Sequence, residues 1–170
     1  MKEKEEEEED MRWYRQGLIS RIDEWIYISD YFGACDHEKL LEYGIKRVIS
    51  LGNEEEQEMY QNSRSENTQA KREELEYLNI VIEDSRSSDI SQFFLETNIF
   101  IASSPGPVLI HCWAGISRSV TIAIAYYIKV RRMSYLSAFF KIQQVRPFIQ
   151  PNPSFVDALF KLQDENAGII

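Results

Sequence analysis

Short hydrophobic runs alternate with polar stretches along the first two thirds of the chain, and several of these runs have the character of strands. They are short and rich in β-branched or aromatic side chains, which favour extended backbone. They lie at residues 25–28 (WIYI), 45–51 (IKRVISL), 75–82 (LEYLNIVI) and 108–111 (VLIH). The first two flank a short predicted helix, which begins with Asp36 near its N-cap and ends at Gly44.

Hydrophobic positions at helical spacing predict longer helices in the second half of the chain. They lie at residues 89–104, 117–132, 133–146 and 152–165. The core positions expected on them are Ile90, Phe93, Phe94, Ile99, Ile101, Tyr126, Tyr127, Phe139 and Phe140. Because strands and helices alternate early and helices dominate late, we expect an α/β fold with a small, mostly parallel sheet flanked by helices.

Residues 52–74 are polar and low in apolar content, and we predict a long mobile connection that is helical at most towards its second end. This stretch contains an acidic cluster, which we expect to be solvated. The cluster consists of Glu54, Glu55, Glu56 and Glu58.

Charge and length limit the class of protein. Residues 1–10 hold seven acids and two lysines, more than half of the net charge of −9, and are predicted to be a disordered acidic tail. Residues 11–170 are predicted to form a single domain. This part is mildly acidic and lacks a basic stripe, so we expect no nucleic-acid partner.

The sequence shows no targeting signal and contains only two cysteines. No apolar run reaches the length of a membrane span, and no signal-peptide pattern opens the chain, so we expect no membrane partner and a cytoplasmic location, with the nucleus as a second one. The two cysteines, Cys35 and Cys112, exclude a disulfide-rich scaffold. Cys35 is expected to be structural or exposed, with a disulfide to Cys112 as the alternative.

The segment VLIHCWAGISRSV, residues 108–120, carries the chemistry. A buried strand ends at His111, a tight loop with Gly115 follows, and a helix begins near Ser117 or Arg118. Successive backbone N–H groups in such a loop point at one spot and bind an anion. Arg118 can fold over the same centre and grip two phosphate oxygens.

The same loop should activate Cys112. Helix N-termini and neighbouring cations favour the thiolate form of a cysteine, so we expect a nucleophile that attacks phosphorus and forms a phosphocysteine. Ser119 is placed to donate a hydrogen bond to the sulfur, which would help the sulfur to leave in the second step.

The sequence HCWAGISRS matches the HC-x2-G-x-SRS signature loop, and the chain resembles the dual-specificity subgroup of cysteine-dependent protein tyrosine phosphatases, in particular its small atypical members. The resemblance extends over about residues 18–165. It implies a protein tyrosine phosphatase-like fold. It also implies hydrolysis of phosphotyrosine and of phosphoserine or phosphothreonine on proteins, without metal or cofactor.

The resemblance also implies roles for individual residues. Cys112 is the nucleophile, Asp84 the general acid and then base, and His111 supports the loop from beneath and adds positive field there. The backbone amides that bind phosphate together with the Arg118 side chain belong to Trp113, Ala114, Gly115, Ile116, Ser117 and Arg118.

Several alternatives stay open at this point. Glu83 or Asp89 could replace Asp84 as the acid, although Asp89 is better placed as the N-cap of the following helix. Trp113 and Ile116 could be core residues or rim residues of the pocket. The chain could bind phosphoproteins without turnover, or act on a phosphoinositide or an RNA 5′ end. The neutral side chains in the signature loop argue against those non-protein substrates. The expected partners are phosphoproteins, protein kinases among them, and a monomer is favoured.

Overall fold

The computed structural model describes residues 17–66 and 75–168. The strands are β1 (Ser20–Arg21), β2 (Ile26–Ser29), β3 (Arg47–Gly52), β4 (Glu76–Val81) and β5 (Val108–His111). The helices are α1 (Tyr31–Cys35), α2 (His37–Glu42), α3 (Glu54–Glu66), α4 (Phe94–Ala102), α5 (Arg118–Lys129), α6 (Tyr135–Gln143) and α7 (Pro153–Asn166).

The strands form one sheet in the order β1-β2-β5-β3-β4. Strands β2, β5, β3 and β4 run parallel, and the short β1 pairs antiparallel with β2 at one edge. The prediction of an α/β fold with a mostly parallel sheet is confirmed, and β1 is an addition to the predicted strands. Its two residues are too few to give an alternating pattern.

Alternate residues of each strand point to the two faces of the sheet, and each face is covered by helices. Leu109 of β5 packs with Leu40 of α2 and Tyr60 of α3 in the smaller core. Its neighbour Ile110 packs in the larger core, which contains α5. Every side chain from Arg118 to Ile128 is buried, so α5 is enclosed and its N-terminus is fixed at the end of β5.

The short helix α2 confirms its predicted boundaries. The Asp36 side chain accepts a hydrogen bond from the backbone N–H of Lys39 at the helix N-terminus. Gly44 has φ of +69° and donates its N–H to the carbonyl oxygen of Leu41. The left-handed backbone at this position explains why a glycine ends the helix.

The prediction of a mobile connection over residues 52–74 is wrong for residues 54–66, because these residues form α3. Asn53 and Glu56 form a reciprocal N-terminal cap, in which each side chain accepts the backbone N–H of the other residue. The inward side of α3 buries Gln57 and Tyr60 rather than aliphatic residues. Gln57 donates to the carbonyl oxygens of Ser50 and Ile80 and ties α3 to β3 and β4. A polar inward face is why the hydrophobic pattern missed this helix.

The predicted helix at 89–104 is a 3₁₀ turn (Ser91–Phe93) followed by α4. Ile90, Phe94 and Ile101 are buried as predicted, but Ile99 is 59% exposed because it lies on the opposite side of α4. The Asp89 carboxylate accepts the backbone N–H of Ser91 at 3.0 Å and so caps the turn, although the N-cap position itself is Ile90.

Of the two aromatic pairs predicted to lie in the core, one is buried and the other is not fully buried. Tyr126 and Tyr127 are buried on α5, whereas Phe140 on α6 is 53% exposed and does not belong to the core. The predicted acidic tail at 1–10 and the second end of the 52–74 stretch lie outside the described residues. Among the described helices, none combines the length and hydrophobicity that a membrane crossing requires.

Candidate active site

The tight loop between β5 and α5 holds Cys112 at its start. The backbone N–H of Gly115 donates to Cys112 Sγ at 3.2 Å, and the Ser119 hydroxyl oxygen lies 3.3 Å from the same sulfur. Both contacts stabilise negative charge on sulfur when the hydroxyl donates. Gly115 has φ of +67°, and a Cβ there would lie 2.6 Å from the carbonyl oxygen of Ser29, so the loop requires glycine at this position.

Arg146 supports this loop from the protein interior and was not predicted. It is fully buried, and its Nε donates to the Gly115 carbonyl oxygen at 2.6 Å while Nη2 donates to that of Ala114 at 3.3 Å. Its Nη1 donates to the carbonyl oxygen of Leu18 and the hydroxyl of Ser20. The hydrogen bonds from Arg146 to the carbonyl oxygens of Gly115 and Ala114 fix the backbone conformation of the loop.

Arg118, the first residue of α5, is 5% exposed. Its Nη1 and Nη2 donate to the two carboxylate oxygens of Glu56 at 2.6 and 3.2 Å, and Nη1 also donates to the Ile82 carbonyl oxygen at 3.1 Å. Its buried Nε has no hydrogen-bond partner among the described residues.

The electrostatics of Arg118 favour its charged form. Burial opposes the charge, but the hydrogen bonds and negative charge of Glu56 outweigh it, so the pKa of Arg118 is raised above its ordinary value. The expectation that the whole acidic cluster is solvated is therefore wrong for Glu56, which lies in α3 and pairs with Arg118.

The structure brings Asp84 to the signature loop. Its Oδ1 accepts the hydroxyl of Ser117 at 3.0 Å and the side-chain amide of Asn152 at 3.3 Å. Ser117 in turn accepts the backbone N–H of Asn152 at 3.0 Å. Of the two alternatives to Asp84, Asp89 bonds to Ser91 instead, and Glu83 is exposed beside the N-terminus of α3.

His111 lies beneath the loop, as predicted, but it does not add positive charge. Its Nδ1 is 3.4 Å from the Cys112 carbonyl oxygen, and its ring packs against that of Tyr60 with centroids 4.3 Å apart. Burial lowers the pKa of His111 to about 3, so the ring is neutral at neutral pH. Because a carbonyl oxygen only accepts, the neutral ring carries its proton on Nδ1.

The sequence left undecided whether Trp113 and Ile116 lie in the core or at the rim of the pocket. Trp113 is 39% exposed and packs against Tyr31, with ring centroids 5.1 Å apart, so it belongs to the rim. Ile116 is half-buried, and its carbonyl oxygen accepts the N–H of Gln150 at 3.0 Å.

Cys35 lies apart from this loop and is a free thiol, as is Cys112. Its Sγ is 3.2 Å from the Ser63 hydroxyl, and burial raises the pKa of the thiol. The described residues contain no group of three or more His, Cys, Asp or Glu side chains that could hold a metal ion.

The comparison with known families agrees with the signature loop. The family model described as dual specificity phosphatase, catalytic domain, matches residues 26–165. MAP kinase phosphatase with leucine-rich repeats protein 3 of Dictyostelium discoideum is 49% identical over 87 residues, 48% of this chain and 10% of that protein. Dual specificity protein phosphatase Mpk3 of Drosophila melanogaster is 28% identical over 155 residues, 89% of this chain and 35% of that protein.

A solved structure supports the same assignment. The human tyrosine phosphatase-like serine/threonine/tyrosine-interacting protein is 30% identical, with a TM-score of 0.75 over 89% of this chain and 98% of that chain. The chain spans only 10% and 35% of the length of the two curated relatives. Because the family model covers most of its residues, the chain belongs to the dual specificity phosphatase family, whose catalytic domain it contains at residues 26–165.

Proposed function

We propose that this domain hydrolyses phosphotyrosine and phosphoserine or phosphothreonine monoesters on proteins through a phosphocysteine intermediate. The observation that carries the proposal is the environment of Cys112 Sγ, which has the Gly115 N–H and the Ser119 hydroxyl within 3.3 Å. The buried guanidinium of Arg118 follows in the same loop. Together they form an anion-binding site around a nucleophile.

In the first step, the Cys112 thiolate attacks phosphorus and the bond from phosphorus to the ester oxygen breaks. Asp84 gives its proton to the leaving oxygen. In the second step, Asp84 takes a proton from water as that water attacks phosphorus. The S–P bond breaks and inorganic phosphate leaves, while the Ser119 hydroxyl donates to the departing sulfur.

The charge that develops on the phosphoryl oxygens is met by groups that are already in place. We expect the backbone amides of residues 113–118 and the Nε of Arg118 to be oriented before substrate arrives, because Arg146 holds the loop backbone and Glu56 holds the guanidinium. Preorganised donors of this kind supply most of the stabilisation in phosphoryl transfer.

The family and the charges of the site support the proposed substrate class. The curated relative from Dictyostelium is named as a MAP kinase phosphatase, which makes phosphorylated protein kinases candidate substrates. The signature loop offers only neutral side chains at Trp113, Ala114 and Ile116, so it lacks the additional cations that would meet the further phosphates of a phosphoinositide.

A domain that binds phosphoproteins without turnover is the second candidate. It is favoured by the similarity to the human protein described as phosphatase-like and interacting. The presence of Cys112, Arg118 and Asp84 at one site argues for turnover.

Hydrolysis of an aryl phosphate tests the proposal directly. We expect the wild-type domain to release phosphate in a vanadate-sensitive reaction and to act on both phosphotyrosine and phosphothreonine peptides. Cys112→Ser should abolish turnover while the protein still binds vanadate. A wild-type domain that binds phosphopeptides but releases no phosphate would instead support the binding-only candidate, and a strong preference for phosphoinositides would contradict the protein substrate.

A further inference from the structure

Three aromatic residues form a surface beside the signature loop. Trp113 directly follows Cys112, and its carbonyl oxygen accepts the backbone N–H of Tyr31 at 3.0 Å. The ring centroid of Trp113 lies 5.1 Å from that of Tyr31 and 6.4 Å from that of Phe32. We call these three residues the aromatic rim.

The aromatic rim is partly exposed and adjoins a further exposed apolar side chain. Phe32 is 44% exposed, and the neighbouring Met59, whose carbonyl oxygen accepts the Tyr31 hydroxyl at 3.5 Å, is 42% exposed. Exposed apolar groups that adjoin one another mark interaction sites more often than single exposed residues do. The rim is thus a candidate contact surface at the edge of the pocket.

The rim is also held in place before any ligand binds. The buried carboxylate of Asp30 accepts the N–H of Gly33 within α1 at 2.8 Å and that of Gly17 at 2.8 Å. The bond from Tyr31 to Trp113 joins α1 to the signature loop itself. A rigid surface loses little conformational freedom on binding, which suits it to a selective contact.

Charge decides what kind of molecule fits the site. On the β3 and β4 side of the loop, the exposed Glu54, Glu55 and Glu83 line a cavity of about 460 Å³. Arg86 is also exposed in the loop that follows β4. The glutamates repel a polyanionic headgroup or an anionic membrane surface more strongly than a peptide that carries one phosphate among apolar side chains.

We infer that the aromatic rim selects a large apolar side chain next to the phosphorylated residue of a peptide substrate. A phosphorus atom at Cys112 Sγ places the phosphorylated residue at the pocket, and the next residues along an extended peptide follow at about 3.3–3.6 Å each. Because Trp113 directly follows Cys112, we expect one flanking residue to lie beside the aromatic rim. The inference rests on the proposed phosphatase activity and specifies its substrate.

Two sets of phosphopeptides test it. Each peptide carries one phosphotyrosine. One set varies the residue before it and the other set the residue after it, each as glycine, leucine or phenylalanine, and kcat/KM is measured for each peptide. We expect leucine or phenylalanine at one flanking position to raise kcat/KM by about fivefold or more over glycine. Because both values come from the same enzyme, their ratio cancels general effects on the chemistry.

Variants locate the preference. Phe32→Ala should reduce the ratio to near one, and Phe32→Leu should retain part of it. Phe140→Ala, which removes another exposed aromatic ring on α6, should leave the ratio unchanged.

Equal rates for the wild-type enzyme on all peptides would overturn the inference, as would a preference that survives in Phe32→Ala. Either result would leave the phosphatase proposal intact. Failure to hydrolyse any phosphopeptide or aryl phosphate would overturn both.

Discussion

Glu56 and Arg118 form a largely buried ion pair in which each carboxylate oxygen accepts one guanidinium nitrogen, at 2.6 and 3.2 Å. The residues are 62 positions apart in the chain. The same carboxylate accepts the N–H of Asn53 and closes the N-terminus of α3. One side chain therefore stabilises a helix end and orients the cation of the anion site.

Replacing Glu56 with glutamine should separate its capping of α3 from its pairing with Arg118. Glu56→Gln keeps a carbonyl acceptor for Asn53 but loses the charge and one acceptor for Arg118. We expect kcat/KM for an aryl phosphate to fall by about 10- to 100-fold, the size of effect produced by a misplaced catalytic group. Glu55→Gln, an exposed neighbour on the same helix, is the matched control and should change kcat/KM little. Equal activity of the two variants would contradict the orienting role.

Arg146 should matter for both stability and activity. Arg146→Met fills a similar space but leaves the buried carbonyl oxygens of Gly115 and Ala114 without donors. We expect a loss of about 2–4 kcal/mol in the free energy of unfolding, with a fall in kcat that exceeds any change in KM. Urea denaturation and steady-state kinetics measure the two effects. A variant with wild-type kcat would show that the loop holds its conformation without this support.

Asp84 should control the dependence of rate on the leaving group. Asp84→Ala removes the proton donor, so we expect turnover to fall by about 10²- to 10⁴-fold on phenyl phosphate and by less on p-nitrophenyl phosphate, whose leaving group needs little protonation. Asp89→Ala is the control, and a larger defect in that variant would reverse the assignment of the acid.

The burial of His111 should make the free energy of unfolding depend on pH. Its pKa is lowered from 6.5 to about 3 in the folded protein because burial disfavours the charged ring. Between these values the unfolded chain binds a proton that the folded chain does not, so stability is lost as the pH falls. One such proton contributes a slope of about 1.4 kcal/mol per pH unit.

Replacing the ring should remove that contribution. His111→Asn is expected to be less stable at neutral pH but to lose stability less steeply between pH 6 and pH 4. Urea denaturation at several pH values compares the two slopes, to which the carboxylates contribute equally in both proteins. Identical slopes would show that His111 is protonated in the folded state.

The elements that sequence reasoning identified are those whose signals are local. Runs of β-branched residues identified the parallel strands, Asp36 and Gly44 bounded α2, and the signature loop pointed to the site around Cys112. The cap formed by Asn53 and Glu56 was also a local signal, four residues long, and could have revealed α3. The helix was missed because its inward face buries Gln57 instead of an aliphatic side chain, so the hydrophobic periodicity of a helix is absent.

The support of the loop could not be found in this way. Arg146 lies 31 residues from Gly115 and stands at the end of a predicted helix, where an arginine is usually solvated. Nothing in its local pattern distinguishes a buried arginine from a surface one. Its role exists only in the tertiary structure, which brings the end of α6 under the loop.

The contacts of Arg146 also bear on how the domain acquires its site. Its partners include Leu18 and Ser20, which precede it by 128 and 126 residues. The support beneath Gly115 is therefore complete only when the first strand and the segment after α6 have both docked. A fragment that keeps the signature loop but lacks either end retains the loop's side chains without the contacts that fix its backbone, so the site geometry depends on the assembled domain rather than on the motif alone.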